Sequence, residues 1–264
     1  MHRKFKLIGF DVDGTILTND HKVCNRLIRV VNKLKEQNYI FTLVTARYPV
    51  SALKIAQELG LAHNESIITL NGSYITNNLR ESIYSKTFAI NKLSTLLNKL
   101  SLDITINYYS GFTWKVNQYT KFTDRELLFC KEIVYPELGV IDEVNKITLN
   151  GETKDLIIAK DILSQDESLI IAFSHPNYLE VATKDISKWH GLEHYANTLN
   201  IKTEEIIAFG DGENDIPMLQ GAGLGVAMDN ANERVKQSAT DIAGHHNEYG
   251  VAIYLETLIK NGVL

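Results

Sequence analysis

The N-terminal third of the chain alternates between short apolar runs and amphipathic stretches, and this alternation restricts the fold more than any other feature. Runs at 5–10, 39–45 and 66–70 are rich in the β-branched and aromatic residues that strands favour. The stretches between them, 25–37 and 49–60, carry apolar residues at helical spacing. A β-α-β-α-β order predicts a parallel sheet with helices on both faces.

The C-terminal part of the chain returns to this alternation, whereas the middle does not. Helices are predicted at 189–200, 215–220, 232–238 and 251–259, and strands at 205–209 and 223–227. In the middle, hairpin-like strands at 104–109 and 112–116 are followed by segments at 123–133, 154–163, 169–173 and 178–182 that complete an α+β pattern. We therefore expect an α/β protein with a second domain inserted into the first.

Composition and charge restrict the function classes. The chain has 264 residues, and its 27 Lys and Arg residues against 32 Asp and Glu residues give a formal net charge of −5, which disfavours nucleic acid as a partner. The apolar run at 5–10 is too short for a signal peptide, and no run approaches a membrane span. We expect a cytoplasmic protein with reduced cysteines and no membrane partner, as a monomer or a homodimer.

Two aspartates follow the first predicted strand. In open parallel sheets, ligands bind beyond the carboxyl ends of the strands, which is where Asp11 and Asp13 lie. One carboxylate can attack a phosphorus centre while the other acts as acid and base. Gly14 allows a sharp exit from the strand, and the Thr15 hydroxyl can orient a carboxylate. A solvated turn rich in Asp and Gly is the alternative interpretation.

Three further groups of residues occupy similar positions. Asp211, Asn214 and Asp215 follow the strand at 205–209. Asp211, together with Asp11 and a backbone carbonyl, could form part of a Mg²⁺ site, although a turn in which Asn214 or Asp215 caps the next helix is also consistent with these residues. Thr45 follows the strand at 39–45 and could bind a phosphoryl oxygen or cap the next helix. Lys188 begins a helix and could neutralise a phosphate, or be an ordinary surface lysine.

Charge counting indicates that these groups act together. Asp11, Asp13, Asp211 and Asp215 carry −4, which Mg²⁺ and Lys188 reduce to −1. Protonation of Asp13, which a general acid requires, brings the sum to zero. A site with that charge accepts an anionic phosphate ester.

The order Asp-x-Asp-Gly-Thr, then Thr, then Lys, then Gly-Asp-x-x-Asn-Asp resembles the haloacid dehalogenase superfamily of phosphatases, in particular its Cof-type branch. The resemblance implies a Rossmann-like core at 1–83 and 183–264 and an inserted α+β cap at 84–182 that selects the substrate. The 143 residues between Thr45 and Lys188 (188 minus 45) leave room for such a cap. Ala46 and Trp189 depart from the family pattern, which has Gly at both positions.

The resemblance also implies a role for each site residue. Asp11 would be the nucleophile that forms an aspartyl-phosphate, and Asp13 would protonate the leaving group and then activate water. The phosphoryl group would be held by Val12, Thr45, Ala46, Lys188 and Asn214. Mg²⁺ would be bound by Asp11, the backbone oxygen of Asp13, Asp211 and Asp215, the last either as a ligand or as a neighbour of the ligands. Further substrate contacts would come from Arg47, Asn71 and His190.

The function expected from these features is Mg²⁺-dependent hydrolysis of a small phosphorylated metabolite, with a sugar phosphate as the favoured substrate. A phosphomutase is an alternative, because it uses the same aspartyl-phosphate and protects it from water. A non-catalytic relative that binds a sugar phosphate is a second alternative. The histidines, including the pair His245 and His246, have no spacing typical of a zinc site, and we expect surface or structural roles for them, with His190 as a candidate substrate contact.

Overall fold

The structure is a computed structural model that describes residues 4–61, 65–123 and 136–264. Apart from its first residue, the predicted segment 123–133 lies outside the described residues. In the described residues, the strands are β1 (Leu7–Phe10), β2 (Ile40–Leu43), β3 (Ser66–Thr69), β4 (Tyr74–Asn77), β5 (Ser82–Ser85), β6 (Phe88–Ala89), β7 (Thr105–Ser110), β8 (Thr113–Val116), β9 (Glu137–Leu138), β10 (Glu143–Val144), β11 (Lys146–Asn150), β12 (Leu169–His175), β13 (Tyr178–Thr183), β14 (Ile206–Gly210), β15 (Leu224–Met228) and β16 (Asp241–Ala243).

Helices connect many of these strands, and most of the core helices lie where the apolar spacing predicts them. The α-helices of the described residues are α1 (Asn25–Lys35), α2 (Pro49–Glu58), α3 (Ser94–Leu97), α4 (Thr153–Leu163), α5 (Lys188–Thr198), α6 (Ile216–Gly221), α7 (Glu233–Ser238) and α8 (Gly250–Lys260). None of them is long and apolar enough to cross a membrane.

The described chain divides into two compact units. The first contains the chain up to Arg47 together with Ala52–Tyr84 and Ser187–Leu264, and the second contains Tyr48–Ser51 and Ser85–Ile186. The sequence predicts domain boundaries at 83/84 and 182/183, and the boundaries between the two units lie within a few residues of them, at 84/85 and 186/187. The role of the inserted unit in substrate choice stays a prediction.

A five-stranded parallel sheet in the order β16-β15-β14-β1-β2 forms the centre of the first unit. Its central strands are buried on both faces, because helices cover each side, and this explains their continuous apolar sequences. On one face, Leu192 of α5 and Met218 of α6 join the core cluster with Leu7. On the other face, Phe10 stacks on Phe41, with ring centroids 5.8 Å apart.

The third predicted strand differs from a simple continuation of the parallel sheet. β3 belongs to a separate sheet in the order β3-β4-β5 and pairs antiparallel with β4. A single parallel bridge, Val44 to Ile68, connects it to the end of β2. The strands β4 and β5 were not predicted from the sequence. Their polar and irregular sequences lack the long apolar run of a central strand.

The second unit contains a six-stranded sheet in the order β12-β13-β11-β7-β8-β9. Its apolar cluster joins Leu156 and Leu163 of α4 to Ile147 of β11 and Leu179 of β13. Side chains alternate along a strand, so Ile147 and Leu179 lie on the same face of the sheet, and α4 packs against that face. The α+β character predicted for this segment is therefore present in its described residues.

Candidate active site

Three strand ends bring the predicted site residues of the first unit together. β1 pairs in parallel with both β14 and β2, with Phe10 opposite Phe209 and Leu43. The backbone N–H of Asp11 donates to the carbonyl of Phe209 at 2.9 Å. Parallel pairing therefore places the residues that follow these strands at one edge of the sheet.

Lys188 is the centre of the charge arrangement. Its side chain is only 2% exposed, and its Nζ lies 2.6 Å from Asp11 Oδ1 and 2.5 Å from Asp215 Oδ1. Ser187 caps α5 by accepting from the backbone N–H of His190, so the helix begins at Lys188. The side chain of this first helical residue is buried. A buried ammonium group requires such partners, and Lys188 has two.

Asp215 holds its own loop together as well as the lysine. Its Oδ2 accepts from the backbone N–H groups of Asp211 and Gly212, at 2.9 and 2.8 Å. Both carboxylate oxygens of Asp215 are therefore hydrogen-bonded, one to Lys188 and one to the loop. Of the two roles left open for it, this geometry favours positioning the loop over binding a metal.

Neutral donors and a glycine surround Asp211. The Thr15 hydroxyl lies 3.3 Å from Asp211 Oδ1 and 3.2 Å from Asp11 Oδ2, within reach of both carboxylates. Gly14 has a φ of +75°, which disfavours any side chain, and a Cβ there would overlap Asp211 Oδ2. The loop after β1 can approach Asp211 this closely only because residue 14 is glycine.

Burial and charge shift the pKa values of this cluster. Burial raises the pKa of Asp11 well above its usual value; Lys188 opposes this shift, and Asp215 and Asp211 add to it. Burial and the neighbouring Asp215 raise the pKa of Asp211 to about 6. Burial alone would lower the pKa of Lys188, but Asp11 and Asp215 keep it above its usual value. The site therefore holds a charged lysine beside Asp11 and Asp211, two carboxyl groups whose pKa values are raised.

Asp13 is separate from this cluster and has its own cation. Its carboxylate oxygens accept from Arg47 Nε and Nη2 at 2.7 and 2.6 Å, a two-point ion pair. The Asp13 side chain is 54% exposed, in contrast to the buried Asp11. The charge count made from the sequence did not include Arg47, whose positive charge balances that of the Asp13 carboxylate in this ion pair.

The residues predicted to hold phosphate lie beyond the ends of β2 and β14. Thr45 is buried, and its hydroxyl accepts from the backbone N–H of Arg47 at 3.1 Å. The carbonyl of Thr45 accepts from the backbone N–H of Asn71, whose carboxamide oxygen accepts from Asn214 Nδ2 at 3.1 Å. Ala46 is not among the residues with positive φ, so its methyl group introduces no backbone strain.

Other predicted residues have simpler environments. Val12 is fully buried in the turn that follows β1. Trp189 packs against the apolar core cluster beneath α5 and against Gly221, which explains a bulky side chain at this position. His190 is exposed, and its ring centroid lies 6.5 Å from that of Tyr84. His246 Nδ1 lies 2.7 Å from the carbonyl of Leu17, an environment consistent with a structural role.

Three carboxylates form a group that could hold a metal ion. One oxygen from each of Asp11, Asp211 and Asp215 lies within 4.8 Å of the others. Their charge of −3 is reduced to −2 by Lys188, which matches one divalent cation. Hard oxygen donors of this kind suit Mg²⁺.

Asn230 contacts this site but was not predicted as a functional residue. Its Nδ2 lies 3.2 Å from Asp211 Oδ2 and 2.9 Å from the carbonyl oxygen of Gly14. Asn230 is two residues beyond β15, at the same edge of the sheet as Asp11 and Asp211. Applying the strand-end rule to every strand of the sheet would have identified it.

Comparisons with known proteins identify the family of the chain. The haloacid dehalogenase-like hydrolase family matches residues 8–255 of the chain. A Haemophilus influenzae protein named "Putative phosphatase" is 30% identical over 261 residues, covering 96% of this chain and 97% of the relative. The Bacillus subtilis 5-amino-6-(5-phospho-D-ribitylamino)uracil phosphatase YitU is 24% identical, covering 97% of this chain and 98% of its own.

A solved structure extends the similarity to the whole fold. The crystal structure of a haloacid dehalogenase-like hydrolase from Bacteroides thetaiotaomicron superposes with a TM-score of 0.86 at 26% identity. The superposition covers 97% of this chain and 100% of the other. The chain therefore belongs to the Cof-type branch of the haloacid dehalogenase-like hydrolases and is a phosphatase of phosphoric monoesters.

Proposed function

We propose that the protein is a Mg²⁺-dependent phosphatase that transfers the phosphoryl group of a small metabolite to Asp11 and then to water. The observation that carries this proposal is the buried pair of Asp11 and Lys188, joined at 2.6 Å beside two further carboxylates. A stability role alone would not explain three carboxylates gathered around one buried lysine, because buried like charges are unfavourable.

In the first step, a carboxylate oxygen of Asp11 attacks phosphorus, and the bond between phosphorus and the ester oxygen breaks. Asp13 acts as the acid in its protonated form, for which it takes up a proton from solvent and gives up the ion pair with Arg47, and it donates that proton to the leaving oxygen, so the alcohol departs neutral. Because Asp13 is exposed and is held from one side by Arg47, its carboxyl group can reach a substrate oxygen. The product of this step is an aspartyl-phosphate on Asp11.

In the second step, water replaces the Asp11 oxygen on phosphorus. Asp13, now a carboxylate, accepts the proton of that water, and inorganic phosphate and the free Asp11 carboxylate are regenerated. Lys188 remains beside Asp11 throughout and stabilises the charge of the transferring group. The second step is what distinguishes a phosphatase from a phosphomutase.

The remaining residues bind and orient. The phosphoryl oxygens would be held by Lys188, the Thr45 hydroxyl, the backbone at Val12 and Ala46, and Asn214. Mg²⁺ would be held by Asp11, Asp211 and the backbone oxygen of Asp13, and would shield the negative charge of the phosphoryl group. Asp215 would hold the loop and Lys188 in place, since both of its oxygens are hydrogen-bonded to them.

A phosphorylated sugar or sugar alcohol is the substrate class that we favour. The name of the Bacillus subtilis relative describes the phosphate ester of a ribityl compound. We further propose that the inserted unit, 84–182, selects the alcohol part of the substrate, with contacts from Arg47, Asn71 and His190 in the first unit. Comparison of phosphate release across a panel of phosphate esters tests the substrate class.

The test is phosphate release by the purified full chain, with and without Mg²⁺, across sugar phosphates, nucleotides and cofactor phosphates. We expect a Mg²⁺-dependent activity that the substitution Asp11→Asn lowers by on the order of 10³-fold or more. Asp103→Asn, at an exposed residue of the inserted unit, is the matched control and should retain full activity. Retained activity in Asp11→Asn would refute the mechanism.

The same panel separates the alternatives. Release of phosphate from a monoester without a bisphosphate activator decides against a phosphomutase. Tight binding of one sugar phosphate with no release from any compound would support the non-catalytic relative. Mass spectrometry of acid-quenched protein should show one added phosphoryl group, located on the peptide that contains Asp11.

A further inference from the structure

Asn230 connects three loops at the edge of the central sheet. Its Nδ2 donates to the carbonyl of Gly14 at 2.9 Å and to Asp211 Oδ2 at 3.2 Å. Its Oδ1 accepts from the backbone N–H of His246 at 3.2 Å. One half-buried side chain therefore joins the loop after β1, the loop after β14 and the segment before α8.

The three partners determine the orientation of the carboxamide. Two of them, a carbonyl and a carboxylate, can only accept hydrogen bonds, and the third, a backbone N–H, can only donate. Asparagine provides two donors on its nitrogen and an acceptor on its oxygen, so it satisfies all three. Aspartate has the same shape, but it would place an oxygen against the Gly14 carbonyl and the Asp211 carboxylate.

The partners of Asp211 differ from those of the other two carboxylates in the group. Asp11 and Asp215 each contact the Lys188 ammonium, which neutralises part of their charge. Asp211 instead has neutral donors within hydrogen-bond distance, the Asn230 amide at Oδ2 and the Thr15 hydroxyl at Oδ1, which also lies within reach of Asp11. Neutral donors on both oxygens orient this carboxylate and leave its negative charge available for a cation.

We propose that Asn230 is a positioning residue for the divalent cation, because it fixes both the direction of the Asp211 carboxylate and its distance from the loop that carries Asp13 and Gly14. This inference rests on the proposed role of Asp211 as a Mg²⁺ ligand. Hydrogen bonds to the ligands of a metal commonly change metal affinity by about 10- to 100-fold. Asn230 acts on the cation through Asp211 and needs no contact with the substrate.

The test measures Mg²⁺ binding by isothermal titration calorimetry on the purified full chain, without substrate. We expect Asn230→Ala and Asn230→Ser to raise the Mg²⁺ dissociation constant by about tenfold or more. Asn232→Ala is the matched control, since Asn232 caps α7 by accepting from the Val235 N–H at 3.0 Å and, within the part of the chain that the structure describes, makes no hydrogen bond to Asp11, Asp211 or Asp215. The control should lose stability and keep the wild-type Mg²⁺ affinity.

Activity provides a second measurement. If Asn230 positions the cation, the Mg²⁺ concentration that gives half-maximal activity rises about tenfold, and part of the lost rate returns at saturating Mg²⁺. A purely structural role would lower the melting temperature and leave the Mg²⁺ dissociation constant unchanged. Wild-type affinity, within twofold, in both folded Asn230 variants would overturn the proposal.

A measurement on the wild-type protein covers the case in which neither variant folds. In a ¹⁵N-labelled sample, the assigned side-chain amide signals of Asn230 should shift on addition of Mg²⁺, whereas those of Asn232 should not. Unshifted Asn230 signals at saturating Mg²⁺ would also overturn the proposal. If the wild-type chain binds no Mg²⁺ at all, the proposed function fails first, and that result is separate from unchanged affinity in the variants.

Discussion

The ammonium group of Lys188 lies 2.6 Å from Oδ1 of Asp11, although 177 residues separate them in the chain. Both side chains are buried, at 2% and 7% exposure. Asp11 follows the central strand β1, and Lys188 begins the helix α5 that packs on that strand. The contact therefore joins the two parts of the chain that form the first unit, one before the inserted segment and one after it.

Replacement of Lys188 tests this contact. Lys188→Met retains most of the side-chain volume but leaves Asp11 and Asp215 without a cation in a buried site. Breaking a buried pair in this way costs about 3–5 kcal/mol, so we expect a loss of that size in the free energy of unfolding, measured with urea. Lys121→Met, which breaks an exposed pair with Glu152, is the control and should cost at most about 1 kcal/mol.

Replacement of Asp13 tests the general acid. Asp13→Asn should lower the rate of phosphate release from alkyl phosphates by about 10²–10⁴-fold, because the leaving alkoxide no longer receives a proton. The first step with p-nitrophenyl phosphate should be much less affected, since p-nitrophenolate leaves without protonation. Single-turnover release of p-nitrophenol measures that step. Equal losses for both substrate types would contradict the assignment of Asp13 as the acid.

The raised pKa of Asp211 predicts how the stability of the metal-free protein depends on pH. The folded state holds this proton up to about pH 6, against a usual value of 3.8, so it binds the proton more tightly than the unfolded chain does. The free energy of unfolding therefore falls as pH rises through this window, by about 1 kcal/mol between pH 5 and pH 7 for this group. Asp11, whose pKa is also raised, contributes with the same sign.

Urea unfolding in the presence of a chelator measures this dependence. In Asp211→Asn the slope between pH 5 and pH 7 should decrease, because the group that releases the proton is missing. Mg²⁺ must displace the same proton, so the wild-type protein should bind Mg²⁺ about tenfold more tightly at pH 7 than at pH 5. Affinity that does not vary with pH would exclude Asp211 as a titrating ligand.

Gly14 provides a test of the close approach to Asp211. Gly14→Ala places a methyl group on Asp211 Oδ2 and also forces alanine to a φ of +75°. The control is Gly262→Ala. Gly262 has a φ of +70°, and a Cβ added there meets nothing within 4 Å among the described residues, its chain neighbours aside, so this substitution carries the backbone cost of about 1–2 kcal/mol without the overlap. We expect Gly14→Ala to cost more in unfolding free energy than the control and to weaken Mg²⁺ binding. A cost no larger than that of the control would show that the overlap is relieved without effect.

The sequence alone determined the parallel core and the residues at its edge. Apolar runs that alternate with amphipathic stretches predict β1, β2, β14 and β15, because buried parallel strands need continuous apolar sequence. Asp11 and Asp211 follow two of these strands directly, so their meeting is a consequence of strand order. The family followed from the order of short motifs and was confirmed by the match over residues 8–255.

Tertiary structure decided which groups are partners. The sequence places Lys188 in the site through the order of the motifs and leaves an ordinary surface lysine as the alternative, whereas the packing of α5 on the sheet decides that it lies buried between Asp11 and Asp215. The ion pair of Arg47 with Asp13 has the same origin, because it depends on side-chain direction and not on sequence spacing. A pattern of residue types describes local conformation, whereas these contacts depend on distances between segments that are far apart in the chain. Asn230 is the clearest case, since its three hydrogen bonds come from three separate loops that only the folded sheet brings together.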